Sequence, residues 1–334
     1  MSSSPRVLVA GLGGTIAMTG DAVGGVTPTL SARDLVGAVP GLDGSADLEV
    51  VTFRNQPGAA LTIGDLVELS GLLARGFADG VVGAVITQGT DTIEETAYVL
   101  GLLHPGDEPI AVTGAMRNPT LAGADGPANL LAAVRVAASP EARGLGCVVV
   151  LADEIHAAGR VRKTHTSSVA AFTSPVGGPL GYLSEGRPHV LNRPHRPRAL
   201  PIPPVGPSPR VGLYTATLGD DGGLLPVLAA SLDGLVIAGF GVGHVPASWV
   251  PHLAAIARRI PVVLTSRTGA GFTATSTYGY PGAERDLLAR GLISGGALDP
   301  YKCRLLLQLL LATATSAGEV REAFTGITRA VDRK

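Results

Sequence analysis

The 334-residue chain predicts an α/β protein of two domains: a larger amino-terminal one with a mainly parallel sheet and a smaller carboxy-terminal one. Three observations carry this. Short apolar runs alternate with helical patterns over residues 6–152, the signature of a parallel sheet covered by helices. Seven prolines between positions 194 and 209 then interrupt the chain; such a run cannot enter a helix and favours extended geometry, marking a semi-rigid linker. Beyond it the same alternation resumes. The expected boundaries are 1–193, 194–209 and 210–334.

In the first domain the expected strands are 6–10, 48–53, 82–86, 110–113 and 147–151. Helical patterns stand at 31–38, 62–76, 92–102 and 126–138. Thr92 with Glu95 fits a capping box, and Asp125-Gly126-Pro127 offers a cap with proline in the first turn. Residues 158–190, with GRVRKTHTSS and SPVGGPLGY, read as hairpin strands on the sheet edge. The second domain reads as strand 210–215, helix 224–232, strand 235–239, helix 247–258, strand 261–265 and helix 299–315.

Composition narrows the function. With 46% apolar and 16% charged residues the chain can fill a core and is not disordered. A net charge of −1 leaves no electrostatic footprint for nucleic acid or an anionic membrane, so the expected partner is a small molecule. No stretch reaches ~18 uninterrupted apolar residues, the length of a membrane span. The start, MSSSPRVLVAG, lacks the pattern of a signal peptide, so a cytoplasmic location is expected. Cys147 and Cys303 both read as buried thiols. The seven histidines form no metal-ligand spacing, and the glycine loop Gly11-Leu12-Gly13-Gly14-Thr15-Ile16 has isoleucine where a dinucleotide fingerprint needs glycine. No metal or cofactor is expected.

Two threonine-centred loops stand out. Gly11-Leu12-Gly13-Gly14-Thr15 follows the run VLVA, and Thr87-Gln88-Gly89-Thr90-Asp91-Thr92 follows VGAVI. In an open α/β sheet, ligands bind outside the carboxyl ends of strands, where these loops fall. Glycines there let a ligand approach backbone N–H groups. Capping explains one polar residue at a helix start, but not Gln88, Thr90, Asp91 and Thr92 together. Two hydroxyls with a carboxylate point to acyl transfer. No GxSxG elbow marks an ordinary α/β-hydrolase. Lysine is rare, at 163, 302 and 334 only. Desolvated, it can serve as a base, whereas arginine stays protonated. On spacing alone, a solvated edge-strand Lys163 is the simpler reading.

Together, GGTIA, TQGTDTIEETA, GAMR with ADGPANL, VRKTHT, IAGFGVGHVP and SGGALDPYKCRLLLQL resemble the bacterial-type L-asparaginase family along essentially the whole chain. The resemblance implies a flavodoxin-like amino-terminal domain and a homotetramer or homodimer with sites shared between subunits. It implies hydrolysis of the asparagine side-chain amide to aspartate and ammonia. By position, Thr15 matches the nucleophile, and Thr90, Asp91 and Lys163 match the second catalytic constellation. Asp91 would also hold the substrate α-ammonium. Asn55, Gln56 and Gly89 match substrate-contacting positions, with the Thr90 N–H as a candidate oxyanion donor, and Glu284 matches a carboxylate that serves the neighbouring subunit's site.

Three departures from the family pattern matter. Residues 18–30 contain no tyrosine, although the family's lid usually carries one that activates the nucleophile. Asn55 replaces a common serine and His244 a common asparagine. Tyr278 or Tyr280, in the glycine- and proline-containing loop before Glu284, is expected to replace the lid tyrosine from a neighbouring chain. Alternatives are a glutaminase-asparaginase of broader specificity, since one methylene discriminates by only about 1–3 kcal/mol, and a non-catalytic amino-acid-binding relative. A tRNA-dependent amidotransferase subunit fits less well, because it normally carries an extra amino-terminal region.

Overall fold

Apolar side chains alternate between two cores along each central strand of the first compact unit, residues 1–194. In the computed structural model, which describes residues 4–14, 16, 18–20, 26–28, 31–42, 44–204 and 206–332, strand β1 (Arg6–Gly11) is followed by a small hairpin, β2 (Met18–Gly20) and β3 (Val26–Pro28). Then come α1 (Ala32–Gly37), β4 (Asp47–Thr52), α2 (Ile63–Ala78), β5 (Gly83–Thr87), α3 (Ile93–Leu103) and β6 (Ile110–Thr113). Helix α4 (Gly126–Ala138), β7 (Cys147–Leu151) and β8 (Glu154–Ala157) follow, then β9 (Arg162–Lys163), β10 (Phe172–Thr173), β11 (Gly181–Ser184) and β12 (Arg187–Val190). Val7, Val9, Val85, Val148 and Val150 pack with Leu35 and Leu130 on one face; Leu8, Ala10, Ile86 and Val149 pack with Leu69, Leu73 and Leu100 on the other. Burial on both faces is why these strands read as unbroken apolar runs rather than alternating ones.

The eight-stranded sheet has the order β12-β11-β8-β7-β6-β5-β1-β4. Neighbours from β4 to β7 are parallel, and the pairs β7–β8, β8–β11 and β11–β12 are antiparallel. Counting only the five parallel strands along the chain, the order is 2-1-3-4-5, the flavodoxin-like arrangement. Its switch point lies between the first and third strands, β1 and β5. Both threonine loops leave the sheet there.

The edge hairpin expected in 158–190 is half right. Strands β11 and β12 do extend the sheet through β8, but β9 and β10 pair only with each other. The capping box at Thr92 is not formed: the side chain of Thr92 makes no cap bond and donates instead to the Gly58 carbonyl at 3.0 Å. Asp125 occupies the cap position of α4, yet its carboxylate turns back to accept from the Met116 and Arg117 N–H groups. Capping boxes do close α1 (Ser31 with Asp34) and α2 (Thr62 with Asp65).

In the second unit, residues 195–334, the described residues before β13 (Val211–Thr215) form no helix or strand. It continues with α5 (Leu225–Ala229), β14 (Gly234–Gly239), α6 (Val250–Ala257), β15 (Val262–Ser266), α7 (Glu284–Ala289), β16 (Ile293–Ser294), α8 (Pro300–Thr313) and α9 (Ala317–Asp332). Its sheet, β13-β14-β15-β16, is parallel throughout. Helices α7 and α9 and strand β16 have no counterpart among the elements expected from sequence. Among the described residues, no helix is long and apolar enough to cross a membrane, and both cysteines are buried and form no disulfide.

Candidate active site

Pairing of Gly11 with Thr87 brings the carboxyl ends of β1 and β5 side by side. One residue on, the Leu12 N–H still donates to the Thr87 carbonyl at 2.8 Å. The loop after β4 is tied to the same place, because Phe53 and Arg54 N–H donate to Gly11 O at 2.9 and 3.1 Å. Gln56 N–H donates to Leu12 O at 3.1 Å. Three loops therefore converge at the switch point. Gly13 and Gly14 have φ of 95° and 83°, a region that glycine enters without steric cost. A methyl group at Gly14 would stand 2.0 Å from the Gly89 nitrogen, and one at Gly13 would stand 2.6 Å from the Gln56 nitrogen.

This closeness predicts a paired result. Gly41 also has a positive φ, 77°, but faces open space. Gly41→Ala should cost about 1 kcal/mol of stability, from backbone strain alone. Gly14→Ala must also push apart two backbones and should cost about 3 kcal/mol or more. Urea denaturation midpoints compare the two. Equal losses would mean that the loops do not depend on this contact.

The second loop supplies the polar groups. Gly89 and Thr90 are buried. Gln88, also buried, donates its Nε2 to Gly89 O at 3.2 Å and Thr92 Oγ1 at 3.1 Å, clasping the turn. Lys163, on β9, donates its Nζ to Thr90 Oγ1 and to Asp91 Oδ1, both at 3.0 Å. The lysine side chain is 17% exposed, that of Asp91 70%. Such an open ion pair is worth only about 0–1 kcal/mol to stability, so folding does not account for the triad. Asp91 instead keeps most of its carboxylate free for a second partner.

Glu94, absent from the sequence expectations, belongs to this arrangement. It is 6% exposed on the first turn of α3 and its Oε1 accepts from the Lys163 backbone N–H at 3.2 Å. Nothing local marks it, since an acidic residue in a first helical turn is ordinary. Asn55 is exposed and Gln56 half-buried, with Gln56 Nε2 donating to Ala60 O at 3.3 Å. Thr15 lies outside the described residues, as do Asp21, Thr29 and Lys334.

In the second unit, Glu284 opens α7. It is fully buried, and its Oε1 accepts from the Thr277 and Tyr278 N–H groups at 2.8 and 2.7 Å. Its Oε2 faces His244 Nε2 at 3.3 Å. Burying a carboxylate requires such donors. Burial alone would push its pKa up, but the backbone N–H bonds and His244 outweigh that and hold it below the usual range. Tyr278 and Tyr280 are 44% and 50% exposed, and the Tyr280 hydroxyl lies 2.8 Å from His244 Nδ1. The structure thus groups Thr90, Asp91 and Lys163, and separately groups His244, Tyr280 and Glu284. Among the described residues, no cluster of three His, Cys, Asp or Glu side chains could hold a metal.

Two family models match the chain, "Asparaginase, N-terminal" over residues 6–196 and "Glutaminase/Asparaginase C-terminal domain" over 210–324. A Deinococcus radiodurans protein named probable L-asparaginase is 37% identical, covering 97% of this chain and 98% of its own. L-asparaginase 2 of Escherichia coli is 35% identical, over 96% and 92%. A crystal structure of a probable cytoplasmic L-asparaginase from Campylobacter jejuni superposes with a TM-score of 0.86 at 33% identity, covering 96% of this chain and 99% of that one.

Proposed function

Because the chain belongs to the bacterial-type L-asparaginase family, we propose that it hydrolyses the side-chain amide of L-asparagine to L-aspartate and ammonia through a threonine acyl-enzyme. The observation that carries this reading is the Lys163 ammonium bridging Thr90 Oγ1 and Asp91 Oδ1 at the switch point. In this mechanism Thr15 Oγ attacks the amide carbon, ammonia leaves, and water hydrolyses the ester through a second tetrahedral species. Thr90 and Lys163 handle protons and developing charge, with the Thr90 N–H as an oxyanion donor. Asn55, Gln56 and Gly89 line the substrate. Lys163 Nζ, shared between the two oxygens, holds Thr90 and Asp91 in register. The reaction needs no cofactor.

Ammonia release from L-asparagine, set beside calorimetric binding, tests the reading: binding without release would identify a non-catalytic relative. The match to a glutaminase/asparaginase domain favours a second substrate, L-glutamine, so both amides are assayed together. The proposed assembly is a homotetramer or homodimer in which Glu284 belongs to a neighbour's site. A cytoplasmic location belongs to the same reading, supported by the likeness to the Campylobacter jejuni protein, itself named a probable cytoplasmic L-asparaginase. Cell fractionation checks it.

Asp91 should discriminate by charge. Asp91→Asn is expected to weaken asparagine by about 1.5–3 kcal/mol, the worth of a charge-assisted hydrogen bond. An analogue lacking the α-amino group should be affected far less. Inhibition constants for the two compounds measure the difference; equal losses would assign Asp91 to chemistry or structure rather than recognition.

A further inference from the structure

Lys163 is held at both ends by one stretch of chain. A single 3₁₀ turn, Thr90–Thr92, runs directly into α3 at Ile93. Thr90 and Asp91 on that turn accept from Lys163 Nζ, each at 3.0 Å. Glu94, one turn further on, accepts from the Lys163 backbone N–H at 3.2 Å. Residues one helical turn apart share a face, so the acceptors for the tip of the lysine and for its backbone belong to the same rigid piece. The strand that carries Lys163 is otherwise weakly fixed. It holds two residues and pairs with β10, Lys163 opposite Phe172, in a ladder separate from the eight-stranded sheet. A two-stranded ladder is marginal by itself. Val161, Ala171 and Phe172 seat it in the same core as Ile93 and Ala97, but apolar burial is non-directional and leaves the register open. The bond to Glu94 is directional. Glu94 is also buried, and burying a carboxylate is unfavourable unless donors meet it.

We propose that Glu94 is a positioning residue of the amide hydrolysis, acting through Lys163: it sets the place of the lysine backbone so that Nζ meets Thr90 Oγ1 and Asp91 Oδ1 together. The proposal rests on the hydrolase reading above. Lysine carries its ammonium on a long flexible stem, so a slide of β9 along α3 would draw Nζ away from both oxygens at once. Glu94 prevents the slide from the very helix whose first turn presents those oxygens. Its part is geometric: the place requires an acceptor oxygen at the end of an arm of this length, and an amide oxygen serves as well as a carboxylate.

The test uses the full chain. Glu94→Met keeps the length of the arm and removes the acceptor. It should lower kcat for asparagine about 10–100-fold, the scale of a small misplacement at a reacting centre, with KM within about threefold of wild type. Glu94→Gln should stay within about threefold of wild type in both. Wild-type turnover in Glu94→Met, or an equal loss in Glu94→Gln, overturns the proposal. Action through Lys163 has a signature that a merely structural role lacks. The double variant Lys163→Met/Glu94→Met should match Lys163→Met alone to within about threefold, and losses that multiply overturn the assignment. Hydrogen exchange at the Lys163 amide gives a readout independent of turnover. It should quicken about tenfold or more in Glu94→Met and stay near wild type in Glu94→Gln; unchanged exchange in Glu94→Met sinks the anchor even where activity falls. Should Glu94→Met not fold, Glu94→Asp, which withdraws the oxygen by one methylene, should lose kcat and amide protection in smaller degree, and behaviour equal to Glu94→Gln counts against the proposal. Wild-type protein that releases no ammonia would overturn the hydrolase reading, and the role of Glu94 in catalysis with it, leaving the exchange comparison to decide the anchor alone.

Discussion

Thr15→Ala should abolish ammonia release from L-asparagine, lowering kcat by about four orders of magnitude or more, because the proposed acyl-enzyme cannot form without the Thr15 hydroxyl. Thr90→Val should lower kcat by about 10²–10³-fold. Valine matches threonine in shape but removes the hydroxyl that accepts from Lys163 Nζ at 3.0 Å, leaving the ammonium with Asp91. Loss of one aligned polar group at a reacting centre is worth roughly 3–4 kcal/mol. Both variants should keep the wild-type circular dichroism and melting temperature to within a few degrees. Steady-state kinetics with a coupled ammonia assay decides; near-wild-type turnover in either variant would remove that residue from the mechanism.

Lys163→Met should be comparably severe, with a loss of about 10²–10⁴-fold in kcat. Methionine keeps the length and apolar stem of lysine, so the backbone bond from residue 163 to Glu94 survives. The ammonium that draws Thr90 Oγ1 and Asp91 Oδ1 together does not. Arginine is not a conservative replacement, since its planar fork cannot present a single point charge to both oxygens. Lys163→Arg should therefore stay within about tenfold of the methionine variant rather than of wild type. Full activity in Lys163→Arg would show that any cation suffices there. Parallel measurement on Glu94→Gln, which retains an acceptor for the Lys163 N–H, should give a far smaller loss.

The candidate site could be proposed from sequence because its signals are local. Each loop begins where an apolar run stops, and glycine followed by threonine and aspartate has few other uses at such a boundary. Thr92 shows the limit of that logic. Its type and position fit a capping box with Glu95, yet its hydroxyl is drawn to the Gly58 carbonyl, 34 residues away. Glu284 shows it again, since an acidic residue after Tyr-Gly-Tyr-Pro-Gly-Ala looks solvent-facing until the loop folds its N–H groups inward. His244 stood out only as a departure from a familiar pattern, and nothing near it in sequence pointed to Tyr280, 36 positions on.

By itself, the sequence determined the alternation of strand and helix, the division near the proline run, and the placement of threonine loops at strand ends. Apolar periodicity, proline and glycine act within a few residues, so they can be read along the chain. Only the tertiary structure decided that β1 and β5 are neighbours, and hence that Gly14 abuts Gly89. It also decided that Lys163 reaches Thr90 and Asp91 across more than 70 residues, with Glu94 anchoring its backbone. Those contacts depend on the crossover order of the sheet and on the seating of the short β9–β10 ladder. That order is set by how whole faces bury against one another.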